Sequence, residues 1–312
     1  MALMPADTRI LFCGDLVGAA GRRALLGALP GLRERYDPTF VVVNGENVAG
    51  GFGITPDIAR ELLGAGVDAI TLGNHAYRRR EIYAFLDEEP RIVRPANYLH
   101  GQPGRGHTVV ERDGVRLGVI NLSGNVFMSA GRSAFAEADA LVARMTGTVD
   151  HLIVDMHAEA TSEKVAMGWH LDGRVTAVIG THTHVPTADA RVLPGGTAYI
   201  TDAGMTGSRA GVLGIRRELA IEALVTQMPV RLLPGEEDPW LAGVLVSASE
   251  PMRADAIEQV LVAVGATYWF YLYIPWFIGL VFVALFATPP TRRAHGELGR
   301  RLALARITAP AR

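Results

Sequence analysis

The strongest constraint on the fold is a series of short apolar runs, each of which ends in glycine or polar residues. The runs have the length of single strands, and their nearly continuous apolar character is typical of sheets that are covered on both faces. Helical stretches such as TPDIARELLGAG and SEKVAMGWHL lie between several of them. This alternation predicts an α/β fold. The predicted strands are RILFCGD, TFVVVNGEN, DAITLGNH, RLGVINLSG, HLIVDMHAE, TAVIGTHTH and TAYITDAG.

Polar residues that can bind metal ions stand where five of these runs end. The carboxyl ends of strands in an open α/β sheet share one edge, and ligands bind at that edge. We therefore expect the strand ends to bring these side chains together in one place. They are Asp15, Glu46, Asn47, Asn74, His75, His157, His182 and His184.

The last of these strand ends carries two histidines, His182 and His184, with one threonine between them. Alternate side chains of a strand point to the same face, so both imidazoles can point to one side of the sheet edge. Two neutral imidazoles pack poorly side by side but are good metal ligands. A polar loop with two solvated histidines is the alternative interpretation of this fragment. The carboxylates and amides at the other strand ends favour metal binding.

Seven of the strand-end residues are candidate ligands, which is too many for a single tetrahedral zinc ion. The number indicates two ions that share one bridging carboxylate. Oxygen and nitrogen ligands without a thiolate suit manganese, iron, zinc or similar divalent ions. Paired ions about 3.5–4 Å apart commonly serve phosphoryl transfer or hydrolysis. The candidate ligands are Asp15, Glu46, Asn47, Asn74, His157, His182 and His184.

A glycine-rich loop, AGGFGIT, follows the second predicted strand and carries Phe52. The loop lacks the Gly-Lys-Ser/Thr of a phosphate-binding P-loop, so its glycines indicate a close approach of the backbone to the metal centre. Phe52 can stack on a nucleobase and is our candidate substrate-binding residue. A hydrophobic plug or a dimer contact is an equal alternative for this side chain.

Composition excludes some classes of protein and indicates a compartment. The formal net charge of −2 gives no sign of a general nucleic-acid binder. The single cysteine, Cys13, cannot form an internal disulfide and suits a reducing compartment. The N-terminal stretch MALMPADTR has charged residues too early for a signal peptide. We therefore expect a cytoplasmic enzyme.

The C-terminal part of the chain differs in kind from the rest. Residues 260–290 contain no charged side chain, and the apolar stretch 268–287 has about the length that crosses a bilayer. Aromatic residues crowd its first half, as at a membrane interface, and arginines follow it. We expect a catalytic domain over 1–260 and, over 261–312, a hydrophobic helical segment with a basic tail that attaches the enzyme to the inner membrane. A buried terminal helix or a poorly folded extension is the alternative.

The motifs together resemble those of the calcineurin-like metallophosphoesterases, and more narrowly of their YmdB-like branch, described as phosphodiesterases acting on 2′,3′-cyclic nucleotides. The resemblance covers about residues 9–260. It implies a four-layer α/β/β/α sandwich, two divalent ions (manganese, iron, magnesium or zinc), a nucleotide phosphodiester as substrate, no stable nucleic-acid partner and a homo-oligomer. The matching segments are FCGDLVGAAGRRAL, VVVNGENVAGGFGIT, ITLGNHAY, RPANY, VDMHAEATSEKVAMGW, GTHTHVPTAD and AYITDAGMTG.

The resemblance also implies a role for each site residue. One ion would be held by Asp15, Glu46, Asn47 and His184, and the other by Glu46, Asn74, His157 and His182. Glu46 would bridge the two ions. His75 matches the family's catalytic histidine and would assist the leaving group while a metal-bound hydroxide attacks phosphorus. The superfamily usually has a histidine two positions after the first aspartate and an aspartate as the bridge, where this chain has Val17 and Glu46.

Two other functions are compatible with the same residues. A phosphomonoesterase or a nuclease would use the same metal centre on a different substrate. A regulatory protein with low residual activity is the alternative from a different class, and the complete set of ligands argues against it.

Overall fold

The computed structural model describes residues 7–264. The strands are β1 (Thr8–Cys13), β2 (Asp15–Leu16), β3 (Phe40–Asn44), β4 (Ala69–Thr71), β5 (Ile92–Val93), β6 (His107–Arg112), β7 (Val115–Ser123), β8 (His151–His157), β9 (Ala177–Thr181), β10 (Arg191–Val192), β11 (Ala198–Ile200), β12 (Met205–Ser208), β13 (Pro239–Ala248) and β14 (Ala256–Ala263). The helices are α1 (Gly18–Tyr36), α2 (Pro56–Gly64), α3 (Ile82–Glu88), α4 (Ala134–Met145), α5 (Thr161–His170) and α6 (Arg217–Thr226).

The apolar stretch 268–287 and the basic tail after it lie outside the described residues. The membrane segment and the division of the chain into 1–260 and 261–312 therefore stay predictions. No helix within residues 7–264 is both long enough and apolar enough to cross a membrane.

The first sheet unites the N-terminal strands with the end of the described chain. Its strand order is β2-β12-β13-β1-β3-β4-β5. β1, β3, β4 and β5 run parallel, and Phe12 stands opposite Val42. β13 pairs antiparallel with β1, and β14 pairs antiparallel with β13. The first strand of the described chain therefore pairs with the last but one.

The second sheet is built from the middle of the chain, in the order β10-β11-β9-β8-β7-β6. β7, β8, β9 and β11 run parallel, with Ile153 opposite Ala177, and antiparallel strands close both edges. Every residue of β8 and β9 is buried. Their nearly continuous apolar sequence follows from burial on both faces.

Three apolar cores connect the two sheets and the helices. Between the sheets, Phe12 and Val42 of the first sheet lie in one cluster with Ile153 of the second. Side chains of α1, α2 and α3 pack with the first sheet, and those of α4 and α5 pack with the second. Burying one aliphatic side chain in such a core stabilises the folded state by about 1.5–3 kcal/mol. The predicted α/β fold, with sheets covered on both faces, is confirmed.

All seven predicted strands are present, and α2 and α5 match the two predicted helices. Thr55 begins α2 by accepting a hydrogen bond from the backbone nitrogen of Ile58 at 3.4 Å, and Pro56 occupies the first helical position. The prediction of one shared sheet edge is wrong, because β1, β3 and β4 belong to one sheet and β8 and β9 to the other. Short apolar runs look alike in sequence, whichever sheet they join.

Candidate metal centre

The residues predicted at the strand ends lie together between the carboxyl ends of the two sheets. Asp15 follows β1, and Glu46 follows β3 in the same sheet. His157 ends β8 in the other sheet, and its Nε2 lies 3.2 Å from Oε1 of Glu46. The backbone N–H of His182, just after β9, donates to Oδ2 of Asp15 at 3.1 Å. These two contacts join the sheets at this end.

Nitrogen Nε2 of His157 is surrounded by atoms that accept hydrogen bonds. Besides Glu46, Oδ1 of Asn74 lies 3.0 Å away and Nδ1 of His182 lies 3.1 Å away. Among the residues described, the ligand atoms of Glu46, His157 and His182 all lie within 4.8 Å of one another. Electron-rich atoms that face each other at this distance repel unless a proton or a cation lies among them.

The opposite nitrogen of His157, Nδ1, already has a partner. It lies 2.9 Å from the hydroxyl of Thr181, which donates its own proton to the Asp155 carboxylate at 2.6 Å. The hydroxyl therefore accepts from His157, and Nε2 faces the acceptors. Burial lowers the pKa of His157, but the charge and hydrogen bond of Glu46, together with the charges of Asp15 and Asp155, outweigh burial and raise the pKa to about 9. A divalent cation would bind where this extra proton is held.

Two fully buried carboxylates add negative charge to the same space. Burial raises the pKa of Asp15, and His184 only partly opposes the rise. Burial acts in the same direction on Glu46, but His157 and His75 hold its pKa well below the usual range. Oδ1 of Asp15 is buried without a hydrogen-bond partner in the described part of the chain. A buried carboxylate oxygen that lacks a donor fits a cation ligand, so these residues fit a divalent metal.

Gly73, just before Asn74, allows the crowding of these side chains. A Cβ atom at this position would collide with the imidazole of His157 and the carboxylate of Glu46. Only glycine therefore leaves room for both groups at the end of β4.

His182 and His184 lie beyond β9 and not on it. β9 ends at Thr181, and His182 and His184 have φ angles of 98° and 67°. The prediction that strand alternation places them on one face is therefore wrong. His182 faces His157, whereas Nε2 of His184 lies 3.2 Å from Nδ2 of Asn47. A positive φ at a residue other than glycine costs of order 1–3 kcal/mol, so other contacts must hold this turn.

Thr183, between the two histidines, is the point at which the turn is held. Its backbone N–H and its hydroxyl both donate to the Asp202 carboxylate, at 3.0 and 2.7 Å. The same carboxylate oxygen lies 2.7 Å from Nζ of Lys164, and both charged groups are buried. Sequence analysis singled out neither Asp202 nor Lys164. The signal it could have used is the aspartate of TAYITDAG, which ends an apolar run as Asp15 does.

Asn47 is oriented with its amide nitrogen toward the centre. Nδ2 donates to Oε1 of Glu46 at 3.0 Å, and Oδ1 lies 2.6 Å from Nδ1 of His75. An amide nitrogen does not bind a cation, so a half-turn about the last side-chain bond is needed to place its oxygen among the ligands.

His75 lies at the open side of the centre. Its backbone N–H donates to Oε2 of Glu46 at 2.9 Å, and its Nδ1 donates to Asn47. The imidazole packs edge-on against Phe52, with ring centroids 5.0 Å apart and an interplanar angle of 87°. These contacts leave Nε2 of His75 as the nitrogen available to a ligand.

A hollow of about 370 Å³ opens beside this pair and is lined by Phe52, Arg78 and Arg79. Phe52 is 37% exposed. Arg79 holds the glycine-rich loop, because its guanidinium donates to the backbone oxygens of Phe52 at 3.1 Å and of Ala49 at 2.5 Å. The hollow therefore combines an aromatic ring with positive charge.

Known proteins match the chain over the region that carries this site. Residues 11–260 match the family model described as YmdB-like protein. A 2′,3′-cyclic-nucleotide 2′-phosphodiesterase of Bacillus subtilis (strain 168) is 47% identical over 255 residues, which are 81% of this chain and 97% of the relative. A solved structure of a hypothetical protein from Thermus thermophilus is 39% identical, with a TM-score of 0.77, and covers 82% of this chain and 99% of that one. The structure of a novel phosphatase from Mycoplasma pneumoniae is 32% identical, also with a TM-score of 0.77, over 84% and 95% of the two chains.

Proposed function

Because the chain belongs to the YmdB-like protein family, we propose that this metal-dependent phosphoric diester hydrolase cleaves 2′,3′-cyclic nucleotides. The observation that carries the proposal is the convergence of acceptor atoms on Nε2 of His157, since they require a positive charge in a site open to solvent at His75. The similarity to the Bacillus subtilis relative, over nearly its whole length, supports the choice of substrate. In this proposal the two sheets and their helices form the α/β/β/α metallophosphoesterase sandwich.

The proposed cofactor is a pair of divalent ions, with manganese, iron, magnesium and zinc as the candidates. Glu46, Asn74, His157 and His182 would hold one, and Asp15, Glu46, Asn47 and His184 the other. The acceptors around His157 support the first set, and the partnerless oxygen of Asp15 supports the second. When bound, two such ions neutralise phosphoryl charge and lower the pKa of water.

His75 is the proposed general acid. The side-chain amide of Asn47 occupies Nδ1 of His75, so the proton that His75 moves sits on Nε2 and can be given to the ribose oxygen that leaves phosphorus. Water adds to phosphorus, one phosphorus–oxygen bond of the cyclic phosphate breaks, and a nucleoside monophosphate results. The close packing of Phe52 on the ring restricts the orientation of His75.

Phe52 is the proposed platform for the nucleobase. Its exposed ring lies between His75 and the hollow beside Arg78, so a base can stack on it while the phosphate lies over the centre. Stacking of this kind is sequence-tolerant, because every base has a π-face.

Phosphomonoester hydrolysis is the second candidate, because the Mycoplasma pneumoniae structure is described as a phosphatase. Metal-free full-length protein, reloaded separately with each candidate ion, should be assayed on the four 2′,3′-cyclic nucleotides, nitrophenyl mono- and diesters and a short RNA. We expect the cyclic nucleotides to give the highest kcat/KM. A higher kcat/KM on the monoester would favour the phosphatase, and a higher value on RNA would favour a nuclease.

Attachment to the inner membrane through 268–287 and assembly into a homo-oligomer are also part of the proposal. The composition of the apolar stretch supports the first. The resemblance to the family is the only support for the second.

A further inference from the structure

Each of the three histidines proposed as metal ligands has a polar partner at the ring nitrogen that faces away from the centre. The distances are 2.9, 2.9 and 3.0 Å. Outer partners of this kind fix the ring orientation and decide which nitrogen is free to bind a metal. The pairs are Nδ1 of His157 with the Thr181 hydroxyl, Nδ1 of His184 with the Leu213 carbonyl, and Nε2 of His182 with the Glu159 carboxylate.

Glu159 differs from the other two outer partners. Thr181 is buried at the end of β9, and Leu213 contributes a backbone carbonyl, so both belong to the fold itself. Glu159 lies in the loop between β8 and α5, and its side chain is 52% exposed. Within residues 7–264, His182 is the one polar partner of its carboxylate. The side chain can therefore be changed without removing a contact on which the sheets depend.

The carboxylate of Glu159 decides where the proton of His182 lies. A histidine that binds a metal is neutral and has one ring N–H. A carboxylate only accepts hydrogen bonds, so the N–H is on Nε2, which lies 3.0 Å from Glu159. Nδ1 is then left with a free lone pair, and it lies 3.1 Å from Nε2 of His157, inside the cluster of acceptors.

We propose that Glu159 is a positioning residue that holds the proton of His182 on Nε2 and so presents Nδ1 to the metal that His157 also binds. The inference rests on the proposed metal centre. A negative charge at the open side of a site for an anionic substrate is unfavourable in itself, and the contact with His182 gives it a function.

The test is calorimetric titration of Mn²⁺ into metal-free full-length protein. Glu159→Ala should weaken the binding of one of the two ions by about 10–100-fold and leave the other within about threefold. Glu159→Gln should bind both ions within about threefold of the unchanged protein, because its side-chain carbonyl accepts the same hydrogen bond. Glu111→Ala, which removes an exposed glutamate from β6, is the matched control and should bind both ions normally.

A second measurement locates the ring proton of His182 directly. Long-range ¹⁵N–¹H correlation spectra of the metal-free protein should show His182 with its proton on Nε2, and Glu159→Ala should give a mixture of the two tautomers. Normal Mn²⁺ affinity in Glu159→Ala overturns the proposal, as does a loss in Glu159→Gln as large as in Glu159→Ala. If the unchanged protein binds no Mn²⁺, the metal centre fails and the inference fails with it. If the unchanged protein binds Mn²⁺ and Glu159→Ala binds it equally well, only the inference about Glu159 is wrong, and the metal centre and the proposed function stand.

Discussion

Asp202→Asn is the substitution whose cost follows most directly from the structure. Asp202 and Lys164 are 0% and 1% exposed, and their charged groups lie 2.7 Å apart. The variant leaves the Lys164 ammonium in the interior without a negative partner. Breaking a buried pair in this way costs about 3–5 kcal/mol. We therefore expect the free energy of unfolding to fall by that amount in urea titrations of the metal-free full-length protein, followed by circular dichroism.

The double variant Lys164→Met with Asp202→Asn separates the effect of the unpaired Lys164 charge from the effect of the altered hydrogen bonds to Thr183. Exchanging a whole buried pair for uncharged groups is often close to neutral, so the double variant should regain most of the lost stability. Both variants replace the oxygen that accepts from Thr183 with an amide. Both should therefore hold the turn of His182 and His184 less firmly and bind Mn²⁺ more weakly. Stability and metal affinity are then expected to change independently.

Two results would refute this reasoning. A loss below about 1 kcal/mol in Asp202→Asn would mean that the interior tolerates the Lys164 charge, contrary to the cost expected of a broken buried pair. A double variant no more stable than the single one would mean that the lost stability comes from the hydrogen bonds to Thr183 and not from the stranded charge.

Four further outcomes are expected. His75→Gln should lower turnover of a 2′,3′-cyclic nucleotide by about 10²–10⁴-fold with metal content unchanged, whereas loss of metal would make His75 a ligand. His182→Ala should lower the metal bound per chain in elemental analysis, and full metal content would remove it from the ligand set. Burial raises the pKa of Cys13 to about 12, so a disulfide reagent at pH 8 should leave the native thiol unreacted and modify one thiol after unfolding. Full-length protein should sediment with membranes and resist salt extraction, while a chain ending at residue 264 should be soluble and active. Equal solubility of the two would reject attachment through 268–287.

The strands and the identity of the site residues could be predicted because both signals are local. An apolar run and the polar residue that ends it, such as Glu46 or His157, are adjacent in sequence. The sheet that each run joins depends on partners far along the chain. Glu46 and His157 are in contact across two sheets although 111 residues separate them. Sequence reasoning therefore predicted the meeting of these residues but placed them on the edge of one sheet.

The turn geometry and the supporting residues could not be predicted in the same way. The spacing of His182 and His184 suits a strand, and only the positive φ angles show that the chain has already left it. Asp202 ends an apolar run just as Asp15 does, yet it pairs with a lysine beneath the turn. Helix α1 also has weak local signals, because Pro30 lies inside it and no acidic residue occupies its first turn. Each of these depends on tertiary contacts that no short stretch of sequence contains.

The strand order of the first sheet determines when the metal centre can form during synthesis of the chain. A ribosome that has made residue 184 has produced every predicted metal ligand. At that stage β1 still lacks β13, its antiparallel neighbour over residues 239–248, and Thr183 still lacks Asp202. Domains fold as units, so the centre forms only after β13 has been made. A chain that ends soon after residue 184 would therefore carry all the predicted ligands but lack the strand and the aspartate that hold them in place.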